Sequence, residues 1–123
     1  MKKGVSYEKF RELILSFPEM EEGTAYGSPI FKVKNKMAAR LSEEFPATIV
    51  VKTDLPLRSS LLEGAPDAFY ITPHYAAHPL MLVRLSEVSA DDLKYLIEQA
   101  WRIVAPKTLL KSFDANKKPI DCE

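Results

Sequence analysis

Cysteine is almost missing from this chain: Cys122 is the single one, so no internal disulfide can form and the fold must be held by its core. That fits a reducing compartment. Glycine is scarce too, with four residues, and they build neither G-x-x-x-x-G-K-[ST], nor G-x-G-x-x-G, nor G-x-S-x-G. Phosphate-cradling loops of those kinds and the nucleophile elbow are thereby excluded. An excess of one charge is also lacking. Seventeen Lys plus Arg balance seventeen Asp plus Glu, which removes the long-range field of a strongly basic nucleic-acid binder. Any anion site has to be a local patch.

Long apolar runs are absent as well. Stretches such as Leu80 to Val83 fall far short of the roughly 20 residues that span a bilayer. Met1, Lys2 and Lys3 make a basic start, but Glu8, Lys9, Arg11 and Glu12 follow where a secretion signal needs an apolar segment. The expectation is a cytoplasmic protein with no membrane partner, and a monomer rather than an obligate oligomer. What is present is globular texture: 46% hydrophobic and 28% charged residues over 123 positions. A chain of this size buries about two thirds of its unfolded surface and needs no staple.

Periodicity divides the chain into elements. Ser6 is a helix cap before Phe10, Leu13, Ile14 and Phe17, which recur at helical spacing until Pro18. Glu21 to Tyr26 reads as a polar edge strand, and Gly27-Ser28-Pro29 as a turn. From Ile30 to Ser42, Phe31 and Val33 alternate with Lys32 and Lys34, and Met37, Ala39 and Leu41 continue the alternation. A three-residue loop over Lys34 to Lys36 would pair Val33 with Met37 and keep each face uniform, so it is preferred to a two-residue loop.

Thr48 to Lys52 is the most β-branched run and should be a central strand. Asp54 can cap a helix over about Pro56 to Leu62, ended by Gly64. Phe69-Tyr70-Ile71 and Leu80 to Leu85 read as strands, joined by a loop or single helical turn through Tyr75. Ser89 caps a long helix with Leu93, Leu96, Ile97, Ala100 and Val104 on one stripe, running to about Val104. Residues 1–111 are expected to form one domain and residues 112–123 a tail with mobile parts. This order predicts an α+β fold, an antiparallel sheet with the N- and C-terminal helices packed on one face.

Several segments in their joint order carry a resemblance. They are Phe17-Pro18-Glu19 to Glu22, Tyr26-Gly27-Ser28-Pro29-Ile30-Phe31-Lys32-Val33, Lys36-Met37, Val51-Lys52-Thr53-Asp54, Ala68-Phe69-Tyr70-Ile71-Thr72-Pro73-His74-Tyr75 and Ile103-Val104-Ala105-Pro106-Lys107. Over roughly Tyr7 to Lys111 the chain resembles the MmcQ/YjbR (DUF419) family. The resemblance implies a YjbR-like, double-wing α+β fold and a DNA-binding role, with no enzymatic activity and no cofactor. Two positions depart from the pattern: Pro79-Leu80-Met81-Leu82 stands where the family usually has a Trp, and Ala100-Trp101 where it often has Ser-Tyr.

Residue chemistry supplies the candidate sites. Lys32 and Arg40 are expected on the non-core face of the hairpin, Lys34 and Lys36 at its tip, Lys52 on a nearby strand, and Lys107 and Lys111 in the basic C-terminal segment. Together they form the proposed DNA contacts, each cation releasing counterions from phosphates. A solvated lysine face that protects a sheet edge is the competing explanation. Tyr26, Tyr75 and the outward member of Phe69 and Tyr70 remain for base contact, while Phe31 belongs to the core.

The alternative function is a protein or small-molecule surface near Tyr70, Tyr75, Leu80 and Met81, where the missing Trp leaves room. His74 and His78 have the spacing of a metal pair, but two ligands do not make a site, and no metal is expected. Ser59 and Ser60 beside Arg58 suggest an anion site only weakly, since polar residues on a short exposed helix are ordinary. Trp101 is expected to bury against the sheet.

Overall fold

The computed structural model describes residues 4–25, 27–42 and 47–116. Six strands form one antiparallel sheet in the order β1-β2-β3-β4-β6-β5: β1 Glu21–Ala25, β2 Ser28–Val33, β3 Lys36–Leu41, β4 Thr48–Lys52, β5 Phe69–Tyr70 and β6 Leu80–Arg84. Five α-helices accompany it among the described residues: α1 Tyr7–Leu15, α2 Leu55–Gly64, α3 Pro73–Ala76, α4 Ala90–Val104 and α5 Lys107–Asn116. The expected α+β architecture is present, with α1 and α4 on one face of the sheet.

Local chemistry starts the helices where expected. Ser6 Oγ accepts from the Lys9 amide at 3.0 Å, Asp54 Oδ1 from Leu57 at 2.8 Å and Ser89 Oγ from Asp92 at 3.1 Å, each satisfying an amide that has no partner within its helix. Packing then decides their orientation. Phe31, Ala39, Val51 and Met81 line up across four strands on one face and meet Phe10, Ile14, Leu93 and Ile97 of α1 and α4. Phe10 meets Phe31 edge to face at 5.4 Å, a geometry worth about 0.5–1.5 kcal/mol beyond the buried area. Trp101 is fully buried, as expected, and donates Nε1–H to the Pro18 carbonyl at 2.9 Å.

Two expectations are corrected. The β2–β3 loop has two residues, not three: Val33 pairs with Lys36 and Lys32 with Met37, so Val33 is not opposite Met37. Lys34 and Asn35 both have positive φ, 49° and 68°, the signature of a type I′ turn whose twist matches the strands it joins. The mixing of faces that a two-residue loop would cause is absorbed by a bulge. Phe31 still pairs with Ala39, which leaves Ala38 as the extra residue, and Ala38 and Ala39 are both small and both buried.

The second correction concerns the C-terminal segment. Residues 107–116 form α5, and Phe113 packs on Trp101 at 4.7 Å and Phe17 at 6.1 Å, so the folded unit continues past residue 111. Arg102 reinforces the join by binding Asp114 at 2.8 Å and Glu98 at 3.0 Å. Cys122, Lys117 and Lys118 lie outside the described residues.

Candidate functional site

Because strand side chains alternate, the face of the sheet away from α1 and α4 collects the residues that the core leaves out. The pairings run Ile30–Arg40–Val50–Leu82–Tyr70 across five strands on that face. Two residues further along, Lys32 continues β2 and Lys52 continues β4 toward the same end of the sheet, while Arg84 continues β6 toward the other. Lys32, Arg40, Lys52 and Arg84 therefore share one face. Among the described strand residues, Glu21, paired with Lys32 at the edge, is the one carboxylate on it.

The five arginines of the chain divide by partner. On the helical side, Arg11 binds Glu22 at 2.7 Å, and Arg102 binds Asp114 and Glu98. The hydrogen bond that Arg11 donates to Glu22 holds its guanidinium above its ordinary pKa. The bond to Asp114 does the same for Arg102, helped by Glu98 and opposed by desolvation. The other three meet neutral groups. Arg40 donates from Nη2 to the Tyr75 hydroxyl, and its guanidinium carbon lies 6.0 Å from that ring's centre. Arg84 stacks 4.1 Å over the Tyr70 ring and donates from Nη1 to the carbonyls of Asp67 at 2.8 Å and Pro66 at 3.4 Å.

Arg58 has a different task. From α2 it reaches the carbonyl oxygens of His78 at 2.7 Å, Ala76 at 3.0 Å, Leu80 at 3.1 Å and Tyr75 at 3.3 Å. The guanidinium thus ties down the α3 turn and the start of β6, and its donors face backbone rather than an anion site with Ser59 and Ser60. With α3 fixed, Tyr75 packs on Val50 and Leu82, and Tyr70 and Leu80 lie beside that small cluster.

The expected cations are only partly gathered. Lys32, Arg40 and Lys52 share the open face, and Lys36 is exposed at the end of the hairpin. None of these three lysines forms an ion pair with a described residue. Lys34 is tied back to Glu19 at 3.7 Å. Lys107 and Lys111 are exposed on α5, whose Leu109, Leu110 and Phe113 pack against the helical core, so they stand apart from the sheet's open face. Arg84 was missed, although the alternation Leu80, Leu82, Arg84 contains the signal.

The apolar surface expected from Tyr70, Tyr75, Leu80 and Met81 does not form as a unit. Met81 is fully buried in the core on the opposite face and Tyr75 is 7% exposed, which leaves Tyr70 and Leu80 half-buried. Phe69 points into the core, so Tyr70 is the outward member of that pair. Tyr26 and the His74 side chain lie outside what is described. Among the described residues no group of three His, Cys, Asp or Glu could hold a metal ion, and no helix is long and apolar enough to cross a membrane.

The family model YjbR matches residues 15–103. Uncharacterised proteins of Mycobacterium bovis and Mycobacterium tuberculosis are 34% identical over 95 residues, covering 75% of this chain and 74% of theirs. The crystal structure of a Deinococcus radiodurans protein with a DUF419 domain superposes with a TM-score of 0.71 at 20% identity, over 89% of this chain and 88% of that one. That last likeness is one of fold.

Proposed function

Since this chain belongs to the YjbR family, we propose that it is a small non-enzymatic DNA-binding module that contacts phosphates through Lys32, Lys36, Arg40 and Lys52. One observation carries the reading. The cations on the open sheet face have neutral partners or none among the described residues, whereas Arg11 and Arg102 on the helical side are bound to carboxylates. A protein of zero formal charge thereby keeps a local positive surface, which is what its composition demands of any anion site.

The contacts are to backbone phosphates, with little base readout, so binding is weak and steeply salt-dependent. Lys36 adds an exposed cation at the hairpin end, where the tight type I′ turn holds it, on the side of its partner Val33 rather than of Lys32. Lys34 contributes less because Glu19 partly neutralises it. Changing Lys32, Lys34 and Lys36 together to Glu is expected to abolish binding of a fluorescent DNA at low salt. Retained affinity in that variant, with its fold intact by circular dichroism, sinks the reading.

A further inference from the structure

Arg84 is a cation on the open face that the reading above leaves unused, and it stands on the far side of α3 from Arg40. Tyr75 seats α3 on Val50 of β4 and Leu82 of β6, between β3, which carries Arg40, and the Arg84 end of β6. The turn therefore rises from the sheet as a ridge with one arginine on each flank. Each guanidinium is anchored by neutral groups: Arg40 by the Tyr75 hydroxyl, Arg84 by the carbonyls of Asp67 and Pro66 and by the Tyr70 ring it covers. Anchored forks of this kind lose little freedom when they bind a phosphate oxygen.

What the ridge exposes suits a nucleic acid. Residues 73–79 read Pro-His-Tyr-Ala-Ala-His-Pro, without a carboxylate to repel phosphates. Ala76 and Ala77 are exposed on it, and such small side chains keep it narrow. It is also held firmly, since Arg58 reaches the carbonyls of Tyr75, Ala76 and His78 from α2. A turn fixed in this way can enter a groove without first having to be ordered.

Dimensions choose the groove. Arg84 lies two strands across from Arg40 and two residues along, about 12 Å between backbones. The major groove of B-form DNA is about 12 Å wide and admits a helix, whereas the minor groove is only about 6 Å wide. With α3 in the major groove, the arginines reach the phosphates on its two sides, and the exposed alanine methyls face base edges, thymine methyls among them. An A-form RNA duplex has a major groove too deep and narrow for such entry.

We infer that α3 is a groove-entering ridge: the open face takes B-form duplex DNA by its major groove, with Arg40 and Arg84 on the phosphates of its two strands. The inference rests on the phosphate-binding reading above.

The test compares labelled DNA and RNA duplexes of one sequence by fluorescence anisotropy on the full chain, followed by dimethyl sulfate probing of the bound DNA. Guanine N7 lies in the major groove and adenine N3 in the minor one, so the reagent reports on both. The DNA duplex is expected to bind about tenfold more tightly, with guanine N7 protected at saturating protein and adenine N3 left reactive. Arg84→Gln should lower the salt slope on DNA by about 0.9, and Arg84→Lys, which keeps the charge, should restore it. Equal binding of the RNA duplex, unprotected guanine N7, a slope unmoved by Arg84→Gln or one that Arg84→Lys fails to restore overturns this inference while the phosphate reading stands. If neither duplex binds at low salt, both are overturned.

Discussion

The Arg40 guanidinium donates a hydrogen bond to the Tyr75 hydroxyl, joining a strand on one side of the open face to a helical turn 35 residues further along the chain. The bond orients a cation that has no carboxylate partner among the described residues, and it holds α3 on the sheet. Tyr75→Phe removes the acceptor and leaves the ring packing, so stability should fall by about 1 kcal/mol. In a double-mutant cycle with Arg40→Met the two losses should be less than additive, read from urea midpoints. Full additivity would mean that the bond contributes nothing.

Arg58 supplies donors to four carbonyls of residues 75–80, acceptors that water would otherwise have to reach. Arg58→Met keeps the apolar stem and removes every donor. We expect a loss of about 2–4 kcal/mol, given the strength of hydrogen bonds to charged donors. Amide exchange should accelerate in residues 73–80 ahead of the core strands. Unchanged protection in that segment would show the guanidinium to be incidental.

The legible and illegible parts of this fold differ in range. Ser6, Asp54 and Ser89 could be read as caps because their acceptors serve amides three residues on. Alternation was enough to put Lys32 and Arg40 on one face, with Lys52 on a nearby strand. Alternation could not place the β2–β3 turn, because a bulge at Ala38 breaks the period at a residue small enough to fit on either face. Only the last part of α5, residues 112–116, reads as tail in the sequence, because the many polar residues obscure Leu109, Leu110 and Phe113, whose spacing is helical. The role of Arg58 had no local signal at all: its acceptors lie 17 to 22 residues away.

The hydroxyl of Tyr7 is buried without a hydrogen-bond partner among the described residues. Tyr7→Phe removes that unsatisfied group and should stabilise the protein by about 1 kcal/mol at neutral pH. Burial, and secondarily the charge of Glu22, raises the Tyr7 phenol above its ordinary 10.0, with Arg11 opposing. The native state therefore holds the phenolic proton to higher pH than the unfolded chain does. Its contribution is intact below about pH 10 and is lost as pH rises through the native value. Urea midpoints measured from about pH 8 to 11 should fall less steeply for Tyr7→Phe than for the parent. Parallel curves would refute the assignment.

Phe113 tests whether α5 belongs to the domain. It is half-buried against Trp101 and Phe17, and the Arg102 guanidinium lies 5.5 Å from its ring centre. Phe113→Ala should cost about 2–3 kcal/mol, below the range for fully buried aromatics. A variant ending at Lys111 should lose at least as much. Thermal melts unchanged by either would return residues 112–116 to the status of a tail.

The most direct test of the central claim is the salt dependence of DNA binding for the parent chain and for two neutralised pairs. Titrations of labelled DNA over a range of salt give log Kd against log salt. For Lys32→Gln with Lys52→Gln, the slope should shrink by about 0.7–0.9 per cation removed. For Lys107→Gln with Lys111→Gln, on the helical side, the slope should stay at the parent's value. Equal slopes in all three proteins, or no binding of the parent at low salt, would contradict the assignment of the open sheet face as a phosphate-binding surface.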